Sequence, residues 1–206
     1  MKTLLVLLLA SPLYADSIEL SLMGGRGEAN AYMEGYNKQQ LGEPGPAIGG
    51  RFLYIPSGSI FGYGFSVVTI GKKTRHTAQL YPGVNADHGV NVFAPTLDVV
   101  LKRPSGTFRP YLGAGFGYAN YKINRHYSLS PTWVWNDTLT NEDRSFVSQA
   151  GGVAYTGFGG LDIHDDTFFA GVEVKILHVQ GMEREFSRGN AFISYCAKVG
   201  VKFQLE

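Results

Sequence analysis

The chain has 206 residues and a formal net charge of +1, which excludes the basic excess of a nucleic-acid binder. Charged residues make up 17% and aromatics 13%, and there are 27 glycines, a balance that suits strands better than helices. One cysteine, Cys196, excludes an intramolecular disulfide framework and leaves no thiolate set for a zinc or iron–sulfur centre; it reads as a passive buried thiol.

The first residues, MKTLLVLLLASPLYADS, combine Lys2, an apolar run over 4–9, the breaker pair Ser11-Pro12 and Ala15. These are the parts of a secretory signal peptide cut after Ala15, so residues 1–15 are expected to be removed and 16–206 to form one domain. The apolar run is too short for a membrane anchor, which needs about 20 residues.

Period-two alternation then recurs along the chain. Residues 17–27 set Ile18, Leu20 and Leu22 against Glu19 and Ser21, and 48–55 set Phe52 and Tyr54 against Arg51. After the turn PSGS at 56–59, residues 60–71 place Phe61, Tyr63, Phe65 and Val67 opposite Gly62, Gly64 and Ser66. Residues 90–102 place Phe93, Leu97, Val99 and Leu101 opposite Thr96, Asp98 and Lys102; Pro95 removes a ladder donor there and predicts a bulge. The turn RPSGT at 103–107 leads to residues 108–124, where Phe108, Leu112, Ala114, Phe116 and Tyr118 oppose Arg109, Tyr111, Gly113, Gly115 and Gly117. A weaker strand covers 146–161 and ends in the turn DIHDDT at 162–167. Residues 168–180 oppose Phe168, Ala170, Val172, Val174 and Ile176 to Gly171, Glu173 and Lys175. The closing strand, AFISYCAKVGVKFQLE, alternates from Ala191 to Leu205, with Lys198 and Lys202 on its polar face.

Short turns at 56, 103 and 162 alternate strictly with long connections beginning near 28, 72, 125 and 181. Eight strands in this order can pair as antiparallel neighbours. The apolar faces are uniformly aliphatic and aromatic. The opposite faces carry glycine and isolated charges, namely Glu19, Arg51, Asp98, Arg109, Glu173, Lys175, Lys198 and Lys202. A soluble sandwich would surround its core with abundant surface charge, whereas glycines and spaced opposite charges suit a narrow polar interior. Only a closed barrel satisfies every backbone group of such strands in lipid. The expected fold is therefore all-β, an eight-stranded antiparallel up-and-down transmembrane β-barrel with its apolar face outward. Phe61, Tyr63, Tyr118, Tyr121, Phe168 and Phe203 are read as interfacial girdle aromatics. Both termini and the short turns would then face the periplasm.

The terminal KVGVKFQL resembles the C-terminal recognition signal of outer-membrane barrels, although the chain runs past Phe203 to Leu205 and Glu206. RPYLGAGFGYANYK resembles the middle strand of small opacity-type and OmpX/OmpW-like surface proteins. These resemblances imply the bacterial outer membrane, lipopolysaccharide and other outer-membrane lipids as surroundings, the barrel-assembly machinery as partner of the last strand, and a monomer. More distantly, the order of PYLGAG, QAGGV and a histidine at the end of the seventh strand is similar to barrels that deacylate lipid A. His178 matches that family's histidine on the lipid side. Gln180 and Gly181 stand where its pattern has the nucleophilic serine and an asparagine, and glutamine cannot be an acyl-transfer nucleophile. His126-Tyr127-Ser128 supplies a His-x-Ser, but after the fifth strand.

GAGFG at 113–117 lacks the helix and Lys-Ser/Thr of a phosphate loop. His76, Asp87 and His88 are read as residues of one outer loop without metal-ligand spacing, so no metal or cofactor is expected. Lys72, Lys73 and Arg75 follow the third strand and are candidates for pairing with lipopolysaccharide phosphates. The expected function is surface, membrane-integrity or adhesive work by the long outer loops, which carry Trp133 and Trp135, around a filled and non-catalytic barrel. The rivals are a lipid A acyl hydrolase, a channel for small hydrophobic solutes and a soluble lipocalin-like binder.

Overall fold

A computed structural model of the chain describes residues 15–32, 44–74, 84–103, 105–129, 144–181 and 188–205. Eight strands run in chain order: β1 (Ala15–Tyr32), β2 (Gly45–Pro56), β3 (Phe61–Thr74), β4 (Val84–Lys102), β5 (Phe108–Leu129), β6 (Arg144–His164), β7 (Phe168–Val179) and β8 (Arg188–Gln204). Each pairs antiparallel with its neighbour, and β8 returns to β1 through pairs such as Leu20–Val201, closing the barrel. Closure leaves no free edge through the middle of the sheet, which is the condition for strands to cross lipid.

Tight connections at one end follow from their residues. Gly58 and Gly106 adopt φ of 64° and 95°, a region that glycine enters without steric cost, and the Ser59 amide donates to the Pro56 carbonyl at 3.0 Å.

Outward positions are apolar in register around the cylinder. Leu22 is 71% exposed, Leu97 68%, Leu112 65% and Phe168 63%. A continuous apolar surface of this kind is foreign to a water-exposed protein and normal for a lipid-facing one. On β5 the outward residues are Phe108, Pro110, Leu112, Ala114, Phe116 and Tyr118, followed by Asn120 and Lys122. Ten residues at about 3.3 Å each, tilted by about 40°, give a belt about 25 Å tall, the height of an outer-membrane apolar band.

Several strands outrun the expected limits. β5 extends to Leu129, opposite Val84, so His126, Tyr127 and Ser128 lie within it instead of after it. Asp87 and His88 belong to β4, opposite His126 and Arg125, and not to a loop; His76 lies outside the described residues. Beyond the lipid belt a strand can be polar on both faces, so backbone pairing continues where the alternation of apolar residues has stopped.

Pro95 forms no bulge. Phe93–Asn120 and Thr96–Gly117 keep one register, and the β4–β5 ladder only skips Ala94 and Pro95. Gly117 lies so close to the Pro95 carbonyl that a side chain there would strike it. Tyr121 is 3% exposed and points inward, which removes it from the girdle aromatics.

The interior has two tiers. Toward the tight turns lie the charged residues. Toward the opposite end lies an apolar cluster of Met23, Val68, Ile70, Val90, Val92, Tyr121, Ile123, Leu177, Val179 and Phe192, with alanines 47, 94, 119 and 154 between them and Cys196 at its lower margin. Phe192, Ile70 and Ile123 are 1% exposed and Leu177 0%, so the bore is packed shut there. This apolar tier departs from the wholly polar interior read from the sequence.

Candidate functional site

Arg51 is the centre of the charged tier. Strand alternation turns it inward from β2, where its Nη1 and Nη2 donate to the two oxygens of Glu173 on β7 at 2.6 and 2.9 Å. Its Nε donates to Asp98 Oδ2 on β4 at 3.2 Å, and the guanidinium lies 4.0 Å over the Phe158 ring. This bidentate geometry is the strong form of a charge-assisted pair.

A second centre lies nearer the turns. Lys102 Nζ donates to Glu19 Oε2 at 2.6 Å and to Asp162 Oδ2 at 2.8 Å. Lys198 Nζ sits 2.7 and 2.9 Å from the two oxygens of Asp162.

Hydroxyl relays join the centres. Lys198 Nζ donates to the Tyr111 oxygen at 2.9 Å, and Tyr111 donates to Glu173 Oε2 at 2.8 Å. Lys175 Nζ donates to Ser66 Oγ at 3.2 Å. Thr96 gives its one proton to Asp98 Oδ1 at 2.8 Å, so Ser66 is the donor in the 3.0 Å Ser66–Thr96 bond.

Four carboxylates (Glu19, Asp98, Asp162, Glu173) thus face four cations (Arg51, Lys102, Lys175, Lys198), all at most 5% exposed. Charges taken out of water are tolerable only when paired and hydrogen-bonded, and here the count balances. The space beside the network is about 10 Å³, lined by Glu19, Arg51, Tyr111, Asp162, Lys198 and their neighbours, which is room for about one water. Glycines make the remaining room: a Cβ on Gly113 would meet the Phe158 ring, and one on Gly160 the Tyr111 ring.

His164 stacks on Phe169, with ring centroids 4.8 Å apart and planes 14° apart. Its Nε2 is 3.9 Å from Glu19 Oε1 and 3.8 Å from Asp162 Oδ2, too far for hydrogen bonds. These three residues have the donor types of a metal site. Both carboxylates are already neutralised by Lys102 and Lys198, so the trio offers a dication no net negative charge.

Of the charges read from the sequence as interior, Glu19, Arg51, Asp98, Glu173, Lys175 and Lys198 lie in this network. Arg109 and Lys202 are half-buried at the turn end, outside it. Asp162, and His164 beside it, lie past the sixth strand's expected end at Leu161; β6 continues to His164 and the turn shrinks to 165–167. The signal was present: outward Leu161 and Ile163 alternate with Gly160, Asp162 and His164. Lys72 and Lys73 fall in the last residues of β3, and Arg75 lies outside the described residues, as do Trp133, Trp135 and residues 1–14 of the expected leader. His178 is half-buried on the outward face of β7, 6.2 Å from the Tyr155 ring, and Gln180 and Gly181 form the turn that follows.

Solved structures share this architecture. The N-terminal β-barrel domain of Pseudomonas aeruginosa OprF aligns with 92% of this chain and 98% of its own, at 15% identity and a TM-score of 0.51. Neisserial surface protein A (NspA) aligns with 92% of this chain and 96% of its own, at 8% identity and 0.53. Ail, the attachment invasion locus protein of Yersinia pestis, aligns with 92% and 99%, at 11% identity and 0.50. The fold is that of the small outer-membrane β-barrels. At these identities the likeness is one of architecture, and the barrel's interior must be read from its own residues. No protein-family model matches the chain, and no curated protein matches it in sequence.

Proposed function

We propose that this protein is an integral barrel of the bacterial outer membrane, sealed along its axis, that serves surface, membrane-integrity or adhesive roles through its long outer connections. The observation that carries this reading is the pairing of an apolar belt outside with a balanced charge network and a packed apolar tier inside. An interior filled by side chains is the eight-strand condition and argues against a solute channel. The packed tier supports the same conclusion. Lipopolysaccharide and outer-membrane lipids are the proposed surroundings, the barrel-assembly machinery the proposed partner of β8, and the working unit a monomer. The acyl-hydrolase reading gains no support at His178, since Gln180 and not a serine follows two residues on.

The test is fractionation of expressing cells, with boiled and unboiled gels and planar-bilayer recordings of the purified protein. The proposal expects detergent-dependent recovery from the outer membrane, heat-dependent migration and no single-channel steps. Recovery in aqueous periplasmic extract would overturn the membrane placement. Stable conductance would overturn the sealed bore, and loss of lipid A acyl chains on expression would restore the hydrolase.

A further inference from the structure

Just above the belt on one side of the barrel, the outward face changes character. Asn91 on β4, Lys122 on β5 and Gln149 on β6 are direct cross-strand neighbours, and all three are exposed. One row nearer the lipid, Phe93, Asn120 and Gly151 are neighbours. Tyr118 leans over Gly151, where a side chain would collide with its phenol ring. Residues on adjacent strands stand about 5 Å apart, so the three strands form a plateau about 10 Å wide. Rigid strands hold it, and it continues directly from the last apolar row.

We propose that this plateau binds the phosphorylated sugar headgroup of lipopolysaccharide, a partner that rests on the membrane placement proposed above. The chemistry of the row suits such a group. Asn91, Asn120 and Gln149 each offer a donor and an acceptor, the pairing that sugar hydroxyls require. Tyr118 presents an aromatic face with a hydroxyl tip at the lipid boundary. Lys122 supplies the phosphate charge, and its long stem can reach down to the headgroup level. No carboxylate occupies the outward positions of β4, β5 or β6 in these rows among the described residues; Asp87 stands two rows further out. A phospholipid such as phosphatidylglycerol offers a phosphate with only the few hydroxyls of its headgroup, so it would engage fewer of the three amides than a phosphorylated sugar.

The test uses the full barrel purified in detergent, with bisphosphorylated lipid A or phosphatidylglycerol added and lipid retention read by native mass spectrometry. Wild type is expected to retain lipid A about five- to tenfold better than Lys122→Ala, with an intermediate loss in N91A/Q149A. Lys122→Arg should retain binding, and Arg26→Ala on the far strand β1 should change nothing. Equal lipid A retention by wild type and Lys122→Ala in folded, heat-modifiable protein would overturn the plateau while leaving the membrane reading intact. Equal gain from phosphatidylglycerol would overturn the sugar specificity. Protein recovered without detergent would instead sink the membrane reading.

Discussion

Arg51 and Glu173 stand 122 residues apart in sequence and meet across the lumen through two parallel hydrogen bonds, at 2.6 and 2.9 Å. Their strands, β2 and β7, are not neighbours in the sheet, so the pair braces the barrel through its interior. Removing Arg51 alone takes the guanidinium away from two buried carboxylates, leaving Glu173 the Tyr111 hydroxyl and Lys175 Nζ at 3.9 Å, and Asp98 the Thr96 hydroxyl. Arg51→Met is therefore expected to destabilise the folded barrel by about 3–5 kcal/mol. Adding Glu173→Gln should recover part of that loss, because Arg51's chief partner is then no longer charged. Urea unfolding followed by unboiled gel migration measures both, and equal stability of wild type and Arg51→Met would show that the pair is incidental.

His164 points to the opposite outcome. Both of its ring nitrogens lack hydrogen-bond partners, while its ring stacks on Phe169. The ring packs and the nitrogens cost desolvation. His164→Phe is expected to leave stability unchanged or raise it by about 1 kcal/mol. A loss above about 2 kcal/mol in the same unfolding assay would mean that the imidazole has an essential polar role.

Gly113 is fixed by what lies over it. A side chain there meets the Phe158 ring, which in turn carries Arg51 at 4.0 Å. Gly113→Val should cost about 1–3 kcal/mol through overpacking. Phe158→Leu in the same chain should relieve part of it, and additive losses in a double-mutant cycle would show that the two positions do not touch.

Tolerance on the outer face changes across the upper edge of the belt. Leu97→Arg, at mid-height on the outside, is expected to cost about 2–4 kcal/mol in lipid vesicles. Lys122→Ala, above the belt, should change stability by less than about 0.5 kcal/mol. Similar costs at the two positions would mean that the belt boundary is misplaced.

Alternation carried most of the fold. In β3, β5, β7 and β8 the apolar positions recur every second residue, and one parity decides the face of each strand. Strand ends were less legible, because pairing beyond the belt leaves no hydropathy signal: β5 continues through polar Asn124, Arg125 and His126. The apolar tier was hidden for the reverse reason. In stretches such as VVTI at 67–70 and NVFAP at 91–95, most residues on both faces are apolar, lipid side and lumen side alike, so alternation fades where the interior is filled. The charge network was half legible. Strand parity places Arg51, Asp98 and Glu173 inside, but only tertiary pairing reveals that the Tyr111 hydroxyl and the Ser66–Thr96 pair link the lysines to the carboxylates by hydrogen bonds. Asp162 needed only one more residue of strand.

The most direct measurement is the accessibility of nitroxide labels placed at Leu97→Cys, Leu112→Cys and Val199→Cys in a Cys196→Ser background, with the protein in lipid vesicles. Collision with lipid-soluble oxygen should dominate at all three sites, and collision with a water-soluble nickel chelate should be negligible. Dominant collision with the chelate would place these side chains in water and contradict the account.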